Sequence, residues 1–213
     1  MTLSATKYLL RELSRDYVLK PEEFLTEKNS ISKKYEILSN GDLLFKGVLL
    51  QEADKENGNE RIYPYKTLKR EIDNYQLKID INQAVGELGH PSYAEVNPSA
   101  ISHHIDKIYW EGKKVRGDVR LLSRTTQGKE AIALIESNIT LGISSRSVGS
   151  VTKKSDYVEV NDDLELICWD VVIEPSTERA YINESKLIEL KEYKTNNNEL
   201  IKHFDLLLKI RGK

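Results

Sequence analysis

The sequence predicts an α+β protein whose core is an antiparallel sheet closed into a barrel and flanked by helices. Six or so segments show the alternation or the apolar runs that are typical of strands, and two of the connections between them are short turns. Only two segments inside this region carry apolar residues at helical spacing. A chain with about six strands and only two helices between them is typical of an antiparallel α+β fold.

The first elements are a hairpin and a helix. The pair Asn40-Gly41 separates two apolar runs, residues 35–38 and 43–50, and predicts a type I′ turn in which both central residues have positive φ. Pro64 occupies a first-turn helical position, where its missing N–H is harmless. The helix that it opens has one apolar face, formed by Tyr65, Leu68, Ile72 and Tyr75.

The rest of the central region is predicted as a loop, a second hairpin, a short helix and three strands. The loop carries Gly86-Glu-Leu-Gly-His-Pro, and Glu111-Gly-Lys-Lys forms the turn of the hairpin. The hairpin, the helix and the three strands are expected at residues 100–121, 128–138, 141–151, 157–160 and 164–173.

The two ends of the chain differ from this region in composition. We expect an N-terminal extension at residues 1–34, one compact domain at residues 35–182, and a linker with a C-terminal amphipathic helix at residues 183–213. The linker is indicated by the polar, Asn-rich stretch that begins at Lys194.

Composition excludes several classes of function. The formal net charge is −2, with basic residues scattered among acidic ones, so the chain lacks the basic excess that is typical of a nucleic-acid binder. Cys168 is the single cysteine, which rules out an internal disulfide and fits a reducing compartment. Its apolar neighbours predict a small buried side chain rather than a nucleophile. No apolar stretch approaches the ~20 residues that cross a bilayer, and we expect a soluble, cytoplasmic protein without a membrane partner.

Four histidines are the first candidates for chemistry: His90, His103, His104 and His203. His203 lies in the predicted C-terminal helix, where a surface position is the simpler interpretation. His103 and His104 are neighbours in a predicted strand, so their side chains should point to opposite faces and cannot line one site together. His90 is flanked by glycine and proline in a loop, and loops on a rigid scaffold often present catalytic groups.

Serine and aspartate candidates lie on two of the predicted strands. Gly142-Ile-Ser-Ser-Arg-Ser-Val-Gly-Ser is poor in packing side chains, and its small residues allow a substrate backbone to approach. A serine becomes a nucleophile only beside an oriented base. Asp170 interrupts an apolar strand, so its carboxylate should have a hydrogen-bonding purpose: orienting a histidine, or a purely structural bond.

These segments together resemble the prohead core proteases of myovirus-type tailed bacteriophages, which are distant relatives of the herpesvirus assemblins. The resemblance covers residues 43–180 and rests on four motifs in the same order: Asn57-Gly-Asn-Glu-Arg-Ile-Tyr-Pro, Gly86-Glu-Leu-Gly-His-Pro, Gly142-Ile-Ser-Ser-Arg-Ser-Val-Gly-Ser and Asp170-Val-Val-Ile-Glu-Pro-Ser. Position 147 is serine where the family often has glycine. The resemblance implies an assemblin-like barrel and a serine endopeptidase.

The resemblance also implies roles for individual residues. Ser144 would be the nucleophile, His90 the base and Asp170 the third member of the triad. Ser145 and Arg146 are candidates for oxyanion or substrate binding, although Arg146 could equally pair with a structural carboxylate. Adjacent strand residues face opposite ways, so only one of Ser144 and Ser145 can enter the site, and Ser144 is chosen on the family match. No metal or organic cofactor is expected.

Partners and location follow from the same resemblance. The substrates would be the scaffold and major capsid proteins of a phage, cleaved inside the assembling prohead in the host cytoplasm, by a homo-oligomer without a nucleic-acid partner. The resemblance also implies cleavage after Glu in Leu/Ile-x-Glu sequences, as in related myovirus-type enzymes. Such tripeptides begin at Leu10, Leu25, Ile182, Leu187 and Leu190, so both ends are candidate propeptides for self-removal.

Two other functions remain open at this stage. The chain could be a catalytically inactive capsid-assembly or scaffold protein with the same fold. It could also be a metal-dependent hydrolase that uses His90, His103 and His104 with Asp106 or Asp118, although the divergence of the two strand histidines disfavours this.

Overall fold

The computed structural model describes residues 8–11 and 35–183, and in that part of the chain it contains eleven strands, two α-helices and one short 3₁₀-helix at Pro98–Ala100. The predictions for the two ends therefore fall outside the described residues, except where a strand occurs at residues 8–11. The elements are β1 (Tyr8–Arg11), β2 (Glu36–Ile37), β3 (Leu43–Glu52), β4 (Arg61–Ile62), α1 (Tyr65–Asp80), β5 (Val85–Glu87), β6 (Ile101–Glu111), β7 (Lys114–Leu121), α2 (Thr126–Glu136), β8 (Gly142–Gly149), β9 (Val151–Lys153), β10 (Val158–Val160) and β11 (Glu165–Val172).

The strands form two larger sheets and one small one. The first large sheet has the order β2-β3-β7-β6-β5, and all its neighbours are antiparallel. The second has the order β1-β8-β11 and is also antiparallel. The small sheet, β4-β10-β9, contains one parallel pair. The fold is thus mixed α and β, dominated by sheet, as the sequence predicts.

The closed barrel that the sequence also predicts is not found among the described residues. A barrel needs a continuous ladder of backbone hydrogen bonds around its ring. Here the two large sheets meet where β5 passes β11, and the pairing is reduced to an isolated parallel bridge between Leu88 and Val171. Because β5 is only three residues long, it cannot carry a full ladder to both sheets.

Most of the predicted elements are confirmed, with shifts of a few residues. The first hairpin is present, but its turn is not type I′. Gly41 has φ 88°, whereas Asn40 is not among the residues of the described chain with positive φ. Instead the Asn40 side chain accepts a hydrogen bond from the backbone N–H of Asp42. Residues 85–87 were expected in a loop and instead form β5.

The core lies between the sheets and the two helices. Helix α1 packs against β6 and β11, and α2 packs against β6 and β7. The Tyr75 ring meets the Trp169 ring edge-on, with 4.7 Å between centroids, and both residues are almost completely buried. None of the helices in the described part of the chain is long and apolar enough to span a membrane.

Helix α1 also binds the backbone of β11 at a bulge between Leu166 and Cys168. The Glu71 carboxylate accepts a hydrogen bond of 2.8 Å from the N–H of Leu166. The Lys78 ammonium donates to the carbonyl of Ile167 at 2.6 Å. These side chains satisfy backbone groups that the bulge leaves unpaired. Because the bulge adds one residue to β11, it decides which β11 side chains project from the same side of the sheet as Ser144 and Arg146 of β8.

Tyr75 provides a test of this packing. Its hydroxyl is buried and makes no hydrogen bond to any described residue, and burial raises its pKa well above the ordinary value. An unsatisfied buried hydroxyl costs about 1–3 kcal/mol. We therefore expect Tyr75→Phe to keep or raise the free energy of unfolding measured in urea, and Tyr75→Ala to lower it by about 3–5 kcal/mol. A clear loss in the phenylalanine variant would contradict this packing.

Candidate active site

The pairing of β8 with β11 brings two of the predicted site residues together. Ser144 and Asp170 are direct partners across the antiparallel pair. Directly opposite residues project from the same face of a sheet, and so do residues two apart on one strand. Ser144, Asp170 and Arg146 therefore share one face. All three are buried, at 1%, 0% and 0% exposure.

His90 reaches this face because β5 and the loop after it run alongside β11. The N–H of Glu87 donates to Asp170 Oδ1 at 3.0 Å, and the N–H of Gly89 donates to the carbonyl of Val171 at 2.6 Å. The next residue, His90, places its Nδ1 2.8 Å from Asp170 Oδ2, with both side chains fully buried. A carboxylate only accepts, so Nδ1 carries the proton and Nε2 is left as the basic nitrogen.

The second bond of a serine–histidine–aspartate triad is not formed. His90 Nε2 is buried and makes no hydrogen bond to any residue in the described part of the chain, Ser144 included. Such bonds are often long without substrate and shorten in the reacting complex. The structure thus joins His90 to Asp170 and sets Ser144 beside Asp170 on the same face.

Ser145 lies on the opposite face of β8. Its partner on β11 is Trp169, whose ring packs against Tyr75 of α1. The Ser145 side chain therefore faces the helix side of the sheet, away from Asp170. Of the two neighbouring serines, the strand geometry places only Ser144 on the face of the histidine–aspartate pair.

Arg146 makes a dense set of contacts in this site. Its Nη2 donates to Glu87 Oε1 at 3.0 Å and to Asp170 Oδ1 at 3.1 Å. Its Nε is 3.0 Å from Asp170 Oδ2, an ion-pair distance without hydrogen-bond geometry. Burial opposes the charge of Arg146, but Cys168, Asp170 and Glu87 together more than offset this and raise its pKa. The guanidinium thus pairs with structural carboxylates, which is the second of the two roles that the sequence left open for Arg146.

Glu87 connects this cluster to the loop after His90. Its carboxylate accepts hydrogen bonds from Tyr93 Oη at 2.9 Å and from the N–H of Asn97 at 2.8 Å, besides the one from Arg146. Arg146 Nη1 in turn donates to the carbonyls of Tyr93 and Glu95, both at 3.2 Å. The sequence analysis missed Glu87 and Tyr93. The only signal for Glu87 was its place in the Gly86-Glu-Leu-Gly-His-Pro motif.

Cys168 is a further member of the cluster that the sequence did not assign to it. It is buried, as predicted, and its Sγ lies 3.2 Å from Arg146 Nη2 and 3.4 Å from Asp170 Oδ1. Burial raises the pKa of the Cys168 thiol, and the Asp170 carboxylate adds to this effect. The thiol therefore stays protonated and is a poor nucleophile.

The predicted divergence of His103 and His104 is confirmed. His103 Nδ1 is 2.8 Å from Ser102 Oγ in the interior. His104 Nδ1 is 2.6 Å from an oxygen of Asp106, which also binds Arg120. No group of three or more His, Cys, Asp or Glu side chains suited to a metal occurs within residues 8–11 and 35–183. The histidines required by the metal-hydrolase alternative do not converge.

Gly86 is required for the close approach of β5 to β11. A Cβ at this position would lie 1.9 Å from the carbonyl oxygen of Trp169 and 2.6 Å from Cε1 of His103. Both distances are far below van der Waals contact, so only glycine fits. The first glycine of the His90 motif thus lets Glu87 and His90 reach Asp170.

The motif Asn57-Gly-Asn-Glu-Arg-Ile-Tyr-Pro has a structural position. The Asn57 side chain accepts hydrogen bonds from the backbone N–H groups of Asn59 and Arg61. The N–H of Gly58 donates to the carbonyl of Ser176. The motif therefore supports the segment that follows β11.

Comparisons with known proteins find a matching family, a similar sequence and a similar fold. A family model described as "Prohead core protein serine protease" matches residues 17–192. The prohead core protein protease of Enterobacteria phage T4 is 31% identical over 151 residues, which is 69% of this chain and 71% of that protein. The solved structure of the bacteriophage T4 capsid assembly protease superposes with a TM-score of 0.65 and 27% identity, covering 79% of this chain and 99% of that chain.

His103 makes the stability of this region depend on pH. Burial lowers the pKa of His103 to about 4, and the charge of Asp170 offsets only part of the effect. Between the unfolded value near 6.5 and 4, the unfolded chain binds a proton that the folded protein does not. The free energy of unfolding therefore includes a part that depends on a neutral His103. This part is fully present above pH 6.5, and about 3 kcal/mol of it is lost as the pH falls towards 4.

We therefore expect urea unfolding between pH 7 and 4.5 to show a shallower decline of stability in His103→Gln than in the unchanged protein. The other titratable groups are the same in both proteins, so the difference in slope reports His103. Parallel declines would show that residue 103 is not buried in its neutral form.

Proposed function

The chain belongs to the family of prohead core serine proteases, and on this premise we propose that Ser144, His90 and Asp170 form its catalytic triad. The chain is a protease that acts in prohead maturation. The observation that carries the triad is the 2.8 Å contact between His90 Nδ1 and Asp170 Oδ2, on the face of the sheet from which Ser144 projects.

The three residues would divide the chemistry of peptide hydrolysis in the usual way. Ser144 Oγ attacks the carbonyl carbon of the scissile peptide, and His90 Nε2 takes its proton. The same imidazolium then gives that proton to the leaving amine, and water releases the acyl group through the reverse steps. Asp170 holds the proton of His90 on Nδ1 and stabilises the imidazolium that forms.

Arg146 and Glu87 act as positioning residues in this proposal. Asp170 is fully buried, and a buried carboxylate needs compensating charge or hydrogen bonds. Arg146 supplies the charge, and the N–H of Glu87 supplies a further bond. The role proposed here for Arg146 is thus not the oxyanion role that the sequence left open. Backbone N–H groups near Ser144, that of Ser145 among them, are the candidates for the oxyanion donors.

The substrates that we propose are prohead proteins, among them scaffold and capsid proteins, cleaved inside the assembling prohead. This rests on the T4 relative, which is described as a capsid assembly protease. Self-removal of both ends, action as a homo-oligomer and the division at residues 34 and 182 remain predictions. Most of the Leu/Ile-x-Glu sequences on which self-removal rests lie outside the described residues.

The nucleophile is tested with a fluorophosphonate probe and a matched pair of variants. Ser144→Ala should abolish both labelling and any self-cleavage, because no other hydroxyl lies beside the His90–Asp170 pair on β8. Ser145→Ala changes the adjacent residue on the opposite face and keeps its backbone N–H, so it should label at nearly the normal rate. Equal labelling of both variants would contradict the assignment of Ser144, and an absence of labelling in the unchanged protein would favour an inactive assembly protein.

The role of the acid is tested with Asp170→Asn. An amide at this position can donate to Nδ1 and so favours the histidine tautomer with the proton on Nε2, which cannot accept the serine proton. By analogy with other triads, we expect the rate of peptide cleavage to fall by ~10⁴. The measurement is kcat at several pH values on a peptide that the unchanged protein cleaves. A loss of tenfold or less would remove Asp170 from the triad.

A further inference from the structure

The buried charges beside His90 do not balance. In the part of the chain that the structure describes, the carboxylates of Asp170 and Glu87 both pair with the guanidinium of Arg146, and all three side chains are almost completely buried. With a neutral His90, these side chains together carry one negative charge in excess. An imidazolium at His90 would bring the sum to zero, so the cluster is complementary to the charged form of the base.

The uncharged titratable groups around His90 leave this excess unchanged. Burial raises the pKa of the Cys168 thiol and that of the Tyr75 hydroxyl, so both groups stay protonated. Burial lowers the pKa of His103 to about 4, so its imidazole is neutral near pH 7. None of these three side chains therefore adds a charge to the cluster at neutral pH.

The remaining titratable groups nearby do not compensate the excess either. The hydrogen bond to Glu87 raises the pKa of Tyr93, so its hydroxyl is uncharged. Glu95, in the same loop after His90, is exposed, and solvent screens its charge. On α1, Glu71 and Lys78 carry opposite charges and bind the backbone of β11 at its bulge.

Arg146 lies close enough to His90 to oppose its protonation. Arg146 Nε and His90 Nδ1 are both within 3.0 Å of the same oxygen, Asp170 Oδ2. The two nitrogens are therefore at most about 6 Å apart, a range in which a like charge disfavours the charged form of a group. The guanidinium that compensates Asp170 would thus also oppose the imidazolium that the proposed mechanism forms.

The Glu87 carboxylate removes this conflict. Glu87 Oε1 pairs with Arg146 Nη2 at 3.0 Å, and the carboxylate also accepts hydrogen bonds from Tyr93 Oη and from the N–H of Asn97. Three donors match a carboxylate, which only accepts. Because Glu87 offsets the charge of Arg146, Asp170 can keep its hydrogen bond from Arg146 and still act on His90 as an anion.

From this arrangement we propose that the Glu87 side chain is a positioning residue for the reaction that acts through Arg146: its charge neutralises the guanidinium, so that His90 can take up the proton of the nucleophile. The inference deepens the proposed function and rests on His90 being the base. Removal of the Glu87 charge should make His90 a weaker base although all three members of the triad are retained.

The test follows the protonation of His90 directly. The full chain with Ser144→Ala is labelled with ¹⁵N-histidine, so that self-cleavage cannot alter the sample, and its ring nitrogens are titrated by NMR. His90→Gln identifies the His90 signals among those of the four histidines. In Glu87→Gln, the titration midpoint of His90 should fall by at least one pH unit, because charges at this distance shift protonation by about 1–3 units. An unchanged midpoint would overturn the proposal.

Tyr93→Phe is the matched control. It removes a hydrogen bond to the same carboxylate and leaves the charge of Glu87 in place. The titration midpoint of His90 should therefore stay close to that of the unchanged protein. Equal shifts in Tyr93→Phe and Glu87→Gln would contradict the proposal, because the lost hydrogen bond rather than the lost charge would then be responsible.

A double variant separates charge from packing. Removal of one partner of a buried ion pair is destabilising, whereas replacement of both partners by neutral groups is often tolerated. Glu87→Gln with Arg146→Gln removes one charge of each sign and restores the excess of one negative charge. The His90 midpoint should return towards that of the unchanged protein. A midpoint lower by a full unit would contradict the charge argument, even where Glu87→Gln alone does not fold.

Labelling by a fluorophosphonate distinguishes this inference from the proposed function. In chains that retain Ser144, Glu87→Gln should lower the maximal labelling rate by about tenfold and move the acidic limb of the pH profile to lower pH, because a weaker base is a poorer proton acceptor. An absence of labelling in the unchanged protein would contradict the triad. The histidine titration would still decide the effect of Glu87 on His90, since it needs no nucleophile.

Discussion

The site depends on one buried guanidinium. Arg146 is completely enclosed and pairs with the carboxylates of both Glu87 and Asp170. Removing one partner of a buried ion pair typically costs about 3–5 kcal/mol, because an uncompensated charge is left in a medium of low polarity. This constraint ties β5, β8 and β11 to one another, and through Glu87 it also holds the loop after His90. The Asp170 carboxylate is therefore paired with a cation where it is fully buried, and its second oxygen contacts the His90 imidazole.

The junction of the two large sheets is where the residues of the proposed triad come together. The serine and the aspartate come from one sheet, and the histidine comes from the end of a short strand that belongs to the other. Gly86 makes this possible, since any side chain there would strike the backbone of Trp169. The same close approach explains why the pairing is limited to one bridge between Leu88 and Val171 and does not extend into a closed barrel. The functional loop leaves the sheet at the point where a continued ladder would have closed it.

Strand β8 combines two requirements that ordinary core strands do not meet. Its one face presents Ser144 and Arg146 to the ionic cluster, and the other face packs Ser145 towards the side of α1. One edge of β8 is hydrogen-bonded to β1, in an antiparallel pair. Small polar residues such as those of β8 contribute little packing. The neighbouring strand β11 is stabilised by hydrogen bonds from Glu71 and Lys78 of α1 to its backbone. A polar site face and a firm place in the sheet, between β1 and β11, are thus combined on one strand.

Much of the architecture was accessible from local patterns. Periodicity and turn residues predict both hairpins, both helices and the strands after residue 140, because these signals depend on neighbours in the chain. The opposite orientations of His103 and His104 follow from strand alternation alone. The type I′ turn at Asn40 was wrong because the side chain of Asn40 makes a local hydrogen bond to Asp42, and β5 was missed because three residues carry too little periodicity to be recognised.

Sequence by itself determined the class of the fold, the family to which the chain belongs and a short set of candidate residues. Only the tertiary structure decided how those candidates are related in space. Whether Ser144 or Ser145 faces Asp170 depends on the register of β8 against β11, and that register is shifted by a bulge that no local pattern signals. The placement of Arg146 among anions from distant segments likewise depends on long-range packing. Charge compensation in an interior is a property of three-dimensional neighbours, so it could not be read from spacing along the chain.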